Sequence, residues 1–253
     1  MVLLIPAAPD PERVASFKGW HYAHRGLHRG EAPFENSIKA MEAAIAGGYG
    51  IETDVRLSAD GAVFVFHDSK LDRLTHKTGV LSSHRAEELD SIELRGGNGP
   101  IPRLSAILSL VGDRAPLLIE LKVDPGMVPK QLCVAVQREL AAVSHRAAIM
   151  SFDPRVSRWF AVHAPDIARG LVITESGRRL THNVVTRHLA MRHARPDFLA
   201  YDIRDLPSRF AMRTRRRGFP LMTWTVRSEA EWSTARSYAD APIFEGQDTR
   251  SHG

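Results

Sequence analysis

The chain has 253 residues, 43% of them hydrophobic and 25% charged, which suits a water-soluble protein with a sizeable core. Its single cysteine, Cys133, excludes an intramolecular disulfide, and no apolar run approaches the ~20 residues needed to span a bilayer. The net charge of +5 is uneven: residues 1–126 carry 14 basic and 17 acidic side chains, whereas residues 127–253 carry 20 and 12.

The N-terminal run Val2–Ile5 is too short for a secretion signal and has no basic residue before it, so a cytoplasmic enzyme is expected. Pro11–Lys18 suits a short helix. Apolar runs predict strands at Trp20–His24, Ile51–Leu57, Leu117–Lys122, Ala147–Ser151, Ala168–Val172, Phe198–Tyr201, Leu221–Thr225 and Pro242–Phe244. Helices fit between them. Ser37–Ala46 places Ile38, Met41, Ala44 and Ile45 at helical spacing, with Asn36 or Ser37 as cap and Gly47-Gly48 as terminator. Others are expected at 103–111, 130–143, 154–163, 181–193, 207–217 and 228–237. The stretch 71–102 breaks the alternation and reads as an insertion or long loop after the second strand, with a turn at Arg95–Pro100 near its end. This alternation is the profile of an α/β protein, a TIM (β/α)8 barrel in a single domain over residues 1–253, with a doubly wound open sheet as the alternative.

The chemistry-bearing residues cluster early. Glu52 and Asp54 lie two apart on a strand, so their side chains share a face. Two acids on the inward face of an apolar strand are costly unless paired, and a hard cation with oxygen ligands is a natural partner; an exposed edge strand is the plain alternative. Asp60-Gly61 reads as a two-residue hairpin turn, which would pair Ala59 with Ala62 and bring His67 level with Asp54. His24 ends the first strand and is followed by Arg25 and Gly26, in the position where barrel enzymes carry catalytic groups. Glu35-Asn36-Ser37 reads first as a helix cap. Glu120 and Lys122 repeat the i, i+2 spacing, as either a plain ion pair or a third metal carboxylate with a phosphate-binding lysine. Trp224 suits a pocket wall or the core. The arginines at Arg213–Arg217 end a helix, where they suit the dipole, and no interleaved aromatics suggest nucleic acid.

Together these pieces resemble the glycerophosphodiester phosphodiesterase family. The carriers are His24-Arg25-Gly26, Glu35-Asn36-Ser37, Glu52-Thr53-Asp54, Asp60-Gly61 with Val65–Asp68, Ile101–Leu104, Glu120–Lys122 and Trp224–Val226. The resemblance implies a TIM barrel with a small insertion after the second strand. It implies one divalent cation, Mg²⁺ or Ca²⁺, held by Glu52, Asp54 and Glu120, and His24 and His67 as the acid/base pair. It likens Arg25 and Lys122 to the family's phosphate contacts. The implied reaction is metal-dependent hydrolysis of a small-molecule glycerophosphodiester to glycerol 3-phosphate and an alcohol. The last strand, Ala241–Gln247, departs from the family pattern, which bears on head-group preference. Two other readings fit: a lysophospholipid phosphodiesterase at a membrane surface, docked through the basic half, and a catalytically silent binding barrel.

Overall fold

The structure is a computed structural model that describes residues 8–28, 34–141, 146–177 and 183–246. The expected features at Val2–Ile5, at 142–143 and 181–182 and at Gln247 lie outside those residues. The chain divides into two compact units, Tyr22–Ala147 and Met1–His21 with Ala148–Gly253. Among the described residues no helix is long and apolar enough to cross a membrane.

The latter unit opens with α1 (Pro11–Ala15), shorter than the Pro11–Lys18 expected; Asp10 caps it and Pro11 sits at its first turn.

The unit Tyr22–Ala147 is built around β2. Its elements are β1 (Tyr22–His24), α2 (Ile38–Ala46), β2 (Gly50–Leu57), β3 (Val63–Val65), α3 (Ala86–Asp90), α4 (Leu104–Val111), β4 (Leu117–Leu121) and α5 (Lys130–Ala141). β1 and β4 both pair with β2 in parallel, and the register lays His24 beside Glu52 and Asp54 beside Glu120. Parallel neighbours in register point the same way, so strand pairing alone gathers these four side chains on one face. Ser37, not Asn36, caps α2: its hydroxyl accepts from Ala40 N at 3.1 Å.

The hairpin differs from expectation by one residue. Val55 pairs with Val65 and Leu57 with Val63, and Phe66 N donates to the Asp54 carbonyl at 2.9 Å. The turn therefore holds three residues, Ala59–Gly61, with Gly61 at φ +87°. Phe66 rather than His67 lies level with Asp54. The cause is the insertion, whose buried cluster includes Phe64, Phe66, Leu71, Leu74, Leu81 and Leu89. Phe64 and Phe66 share a strand face and both enter that cluster, which fixes the register and leaves His67 just past the strand end. Residues 71–102 are thus no featureless loop; they carry α3 and a small core of their own.

The other unit continues with β5 (Ala147–Ser151), α6 (Pro154–His163), β6 (Ala168–Ile173), α7 (Val184–Ala194), β7 (Phe198–Asp202), α8 (Arg209–Arg215), β8 (Leu221–Val226), α9 (Glu229–Tyr238) and β9 (Ala241–Phe244). Its strands pair in parallel in chain order, from β5 to β9. Leu171, Met191, Leu199, Phe210 and Phe219 join sheet and helices in one core cluster. The arginine-rich run ends α8 as expected, and Arg215 pairs with Asp240 at 2.8 Å.

Candidate active site

β2 contributes Glu52 and Asp54, 1% and 0% exposed. β4 contributes Glu120 and, one residue past its end, Lys122. Ligand oxygens of the three acids lie within 4.8 Å of one another. Burying three carboxylates this closely is costly unless positive charge offsets them. Lys122 supplies part of that offset: its Nζ lies 2.8 Å from Asp54 Oδ1 and 2.7 Å from Glu120 Oε1. Arg25 supplies another part, with Nε 3.1 Å from Asp54 Oδ2 and its backbone N–H donating to Glu52 Oε2 at 3.2 Å. Three negative charges then face two positive ones.

The electrostatics follow from that count. Burial, together with neighbouring Asp54 and Glu120, pushes the Glu52 carboxyl well above the usual carboxylate range. Burial acts the same way on Asp54, but Lys122 and Arg25 overcome it and hold Asp54 below that range. Glu52 Oε1 is buried without a hydrogen-bond donor, and Asp54 Oδ1 has only the poorly aligned Lys122 ammonium beside it. Clustered hard oxygen ligands, one of them orphaned, and a buried carboxyl whose ionisation needs more positive charge than Arg25 and Lys122 supply fit a divalent cation such as Mg²⁺ or Ca²⁺.

The loop after β1 places the cationic partner. Arg25 adopts φ +58° and Gly26 φ +80°. A Cβ on Gly26 would come within 2.8 Å of Ala40 in α2, so only glycine lets this turn sit against the helix. Arg25 Nη1 donates to Glu35 Oε1 at 2.7 Å. Asn36, 1% exposed, donates from Nδ2 to Asp54 Oδ2 at 3.0 Å and accepts from Thr53 Oγ1 at 2.8 Å. Glu35 and Asn36 therefore serve the carboxylate cluster, and capping belongs to Ser37 alone.

The two histidines flank this cluster differently. His24 Nε2 lies 3.7 Å from Glu52 Oε2. His67 Nδ1 lies 2.7 Å from Asp68 Oδ1, which leaves Nε2 as the free reactive nitrogen. Arg56 Nε donates to the His67 carbonyl at 2.8 Å and fixes its backbone. Burial, with help from Lys122 and Arg25, lowers the His67 pKa despite the opposing pull of Asp54 and Asp68. His67 is thus neutral at neutral pH and able to take a proton.

Arg73 completes the arrangement from within the insertion. It donates to Glu35 and also to Asp68, from Nε to Oδ2 at 2.7 Å and from Nη2 to Oδ1 at 2.9 Å. The Arg73 hydrogen bonds, against the opposing effect of burial, hold Asp68 down at about 2. Sequence reasoning missed Arg73, because nothing in the irregular stretch 71–102 marks it. It also gave no role to Asp68, although Asp68 directly follows His67. Trp224 lies on β8 in the other unit, where its Nε1 donates to the Ala200 carbonyl at 2.9 Å and its ring meets Phe152 edge-on at 5.5 Å. His21, set aside on sequence grounds, packs against Trp232 at 5.1 Å.

Comparison with known proteins decides the family. The model described as the glycerophosphoryl diester phosphodiesterase family matches residues 24–244. The chain belongs to that family. A glycerophosphodiester phosphodiesterase of Bacillus altitudinis is 35% identical over 144 residues, covering 52% of this chain and 57% of that protein. One from Caldanaerobacter subterraneus is 29% identical over 163 residues, covering 59% of this chain and 65% of that one. The match thus spans less than two thirds of either relative's length. An Oleispira antarctica phosphodiesterase, solved in complex with the product sn-glycerol-3-phosphate, is 22% identical with a TM-score of 0.80, covering 91% of this chain and 94% of that one. That likeness shows the fold, which is the (β/α)8 barrel predicted from the strand–helix alternation.

Proposed function

We propose that the protein hydrolyses glycerophosphodiesters to glycerol 3-phosphate and an alcohol, with a divalent cation and two histidines. The observation that carries this reading is the convergence of His24, His67, Arg25 and Lys122 around the buried trio Glu52, Asp54 and Glu120, in a chain of this family. A relative solved with glycerol 3-phosphate supports the substrate class.

Glu52, Asp54 and Glu120 would hold the cation, which when bound supplies charge stabilisation at phosphate oxygens. Arg25 and Lys122 bind the phosphate and orient it for in-line displacement. Each already stands beside Asp54, so its charge is fixed in place before substrate arrives. Neutral His67, with Nδ1 tied to Asp68, removes the nucleophile's proton through Nε2. His24 then protonates the departing alkoxide. The nucleophile in the first step is the substrate's own glycerol hydroxyl, and water opens the resulting cyclic phosphate.

The test is a panel of glycerophosphodiesters with different head groups, each assayed with Mg²⁺, Ca²⁺ and Mn²⁺, with direct detection of glycerol 3-phosphate. Release of glycerol 3-phosphate from at least one member is expected. Tight binding without turnover on every member would replace this reading with a silent binding barrel.

A further inference from the structure

Helices α6 and α7 pack side by side in one unit. Neither contains an Asp or Glu. α7 also departs from the usual pattern of a surface helix in its first two turns, although Ala190, Met191 and Ala194 still face the core. Arg187 is turned inward, 2% exposed, against Glu175 at 2.9 Å and the Phe210 ring, and His188 is buried beside the same ring. Val184, Val185 and Leu189 instead face out, 57%, 48% and 56% exposed, and Val162 of α6 adds another at 56%. Of the six large apolar side chains that are exposed among the described residues, four lie on these two neighbouring helices, a concentration rather than a scatter.

Basic residues accompany the patch. Helical spacing aligns Arg192 with Val185 and Leu189 on α7, and Arg158 with Val162 on α6. With no acid on either helix, neither arginine has an i, i+3 or i, i+4 partner within its helix. Two copies meeting through this face would set arginine against arginine, so the charge disfavours self-association. A nucleic acid would reward the arginines but gain nothing from an aliphatic centre. Aliphatic side chains accompanied by unpaired arginines match a surface that is anionic outside and apolar beneath.

We propose that the outward faces of α6 and α7 dock the protein on an anionic lipid surface. Val162, Val185 and Leu189 enter the headgroup layer, and Arg158 and Arg192 pair with lipid phosphates. The experiment is co-sedimentation with vesicles of phosphatidylglycerol mixed with phosphatidylcholine, compared with phosphatidylcholine alone. Binding to the anionic vesicles only, weakening as salt rises past ~0.15 M, is expected. The double variant Arg158→Glu/Arg192→Glu should bind at least ~10-fold more weakly, and Val185→Ser/Leu189→Ser should also lose affinity. Both should retain wild-type turnover of water-soluble substrate, which shows that the fold is intact. Absence of wild-type binding at low salt, equal binding to neutral vesicles, or undiminished binding by both variants would overturn the proposal. So would a concentration-dependent dimer that Val185→Ser/Leu189→Ser dissociates.

Discussion

Arg73 grips Glu35 at two points, with Nη1 2.7 Å from Oε2 and Nη2 2.8 Å from Oε1. The same guanidinium holds Asp68. Glu35 in turn holds Arg25, and Asp68 holds His67. One residue of the insertion therefore ties Arg25, proposed above to bind phosphate, to His67, proposed to accept the proton.

Arg73→Lys tests this link. Lysine keeps the charge but lacks the planar fork, so it cannot satisfy both carboxylates at once. With Arg25 and His67 both loosened, kcat should fall by ~10-fold or more and KM should rise. Arg73→Met should lose more, with two carboxylates left short of a partner. Steady-state kinetics on the best substrate of the panel decide it, and an unchanged kcat/KM in the lysine variant would remove the coupling from the mechanism.

His24→Ala and His67→Ala should each reduce turnover by ~100-fold or more, since each removes one proton-transfer partner. The pH profile distinguishes the two. Burial holds the His67 pKa below that of an ordinary imidazole, so the wild-type rate should persist through mild acid and fall only beneath that value. Asp68 pulls the His67 pKa upward. Asp68→Asn should therefore move the acid limb further down in pH while lowering the rate through lost ring orientation. A limb that moved upward would contradict this assignment of the base.

Much of this site was legible in the sequence because it rests on period-2 geometry. Glu52 with Asp54, and Glu120 with Lys122, can be placed on a shared face without coordinates. The parallel registers of β1, β2 and β4 then required only that the strands be correctly located. What was illegible depended on tertiary packing. The hairpin register was set by Phe64 and Phe66 entering the insertion's own core, which local turn chemistry at Asp60-Gly61 does not report. Arg73 reaches Glu35 across 38 residues, and no periodic signal marks such a contact. The capping role assigned to Glu35-Asn36-Ser37 held for its last member only, because a cap and a ligand-positioning loop use the same polar residue types.

Removal of the cation should abolish activity and also lower thermal stability. Without it, the three buried carboxylates face only Arg25 and Lys122. EDTA treatment should therefore lower Tm, and added Mg²⁺ or Ca²⁺ should restore it in a concentration-dependent way, as expected of a ligand that binds only the folded state. Glu52→Gln removes one ligand and one negative charge, so it should flatten that dependence and lose turnover together. Turnover that survives exhaustive chelation would exclude the cation from the mechanism.

Glu139 on α5 gives a stability prediction away from the site. Its Oε2 is buried without a hydrogen-bond donor. Burial raises its pKa to about 7, against the opposing effects of Arg103 and the Ser105 N–H. The folded protein therefore holds this proton over a pH range in which the unfolded chain has released it. The group's contribution is fully favourable below the unfolded value near 4.5 and is lost as pH rises through about 7. Discounted for its partial exposure to solvent, the penalty at pH 8 is about 1 kcal/mol. Glu139→Gln carries no proton to lose, so its Tm should exceed wild type by roughly 2–4 °C at pH 8 and match it near pH 4. Thermal melts across that range measure the difference, and a gap of equal size at both ends would mean that the gain comes from packing or hydrogen bonding rather than from this carboxyl's titration.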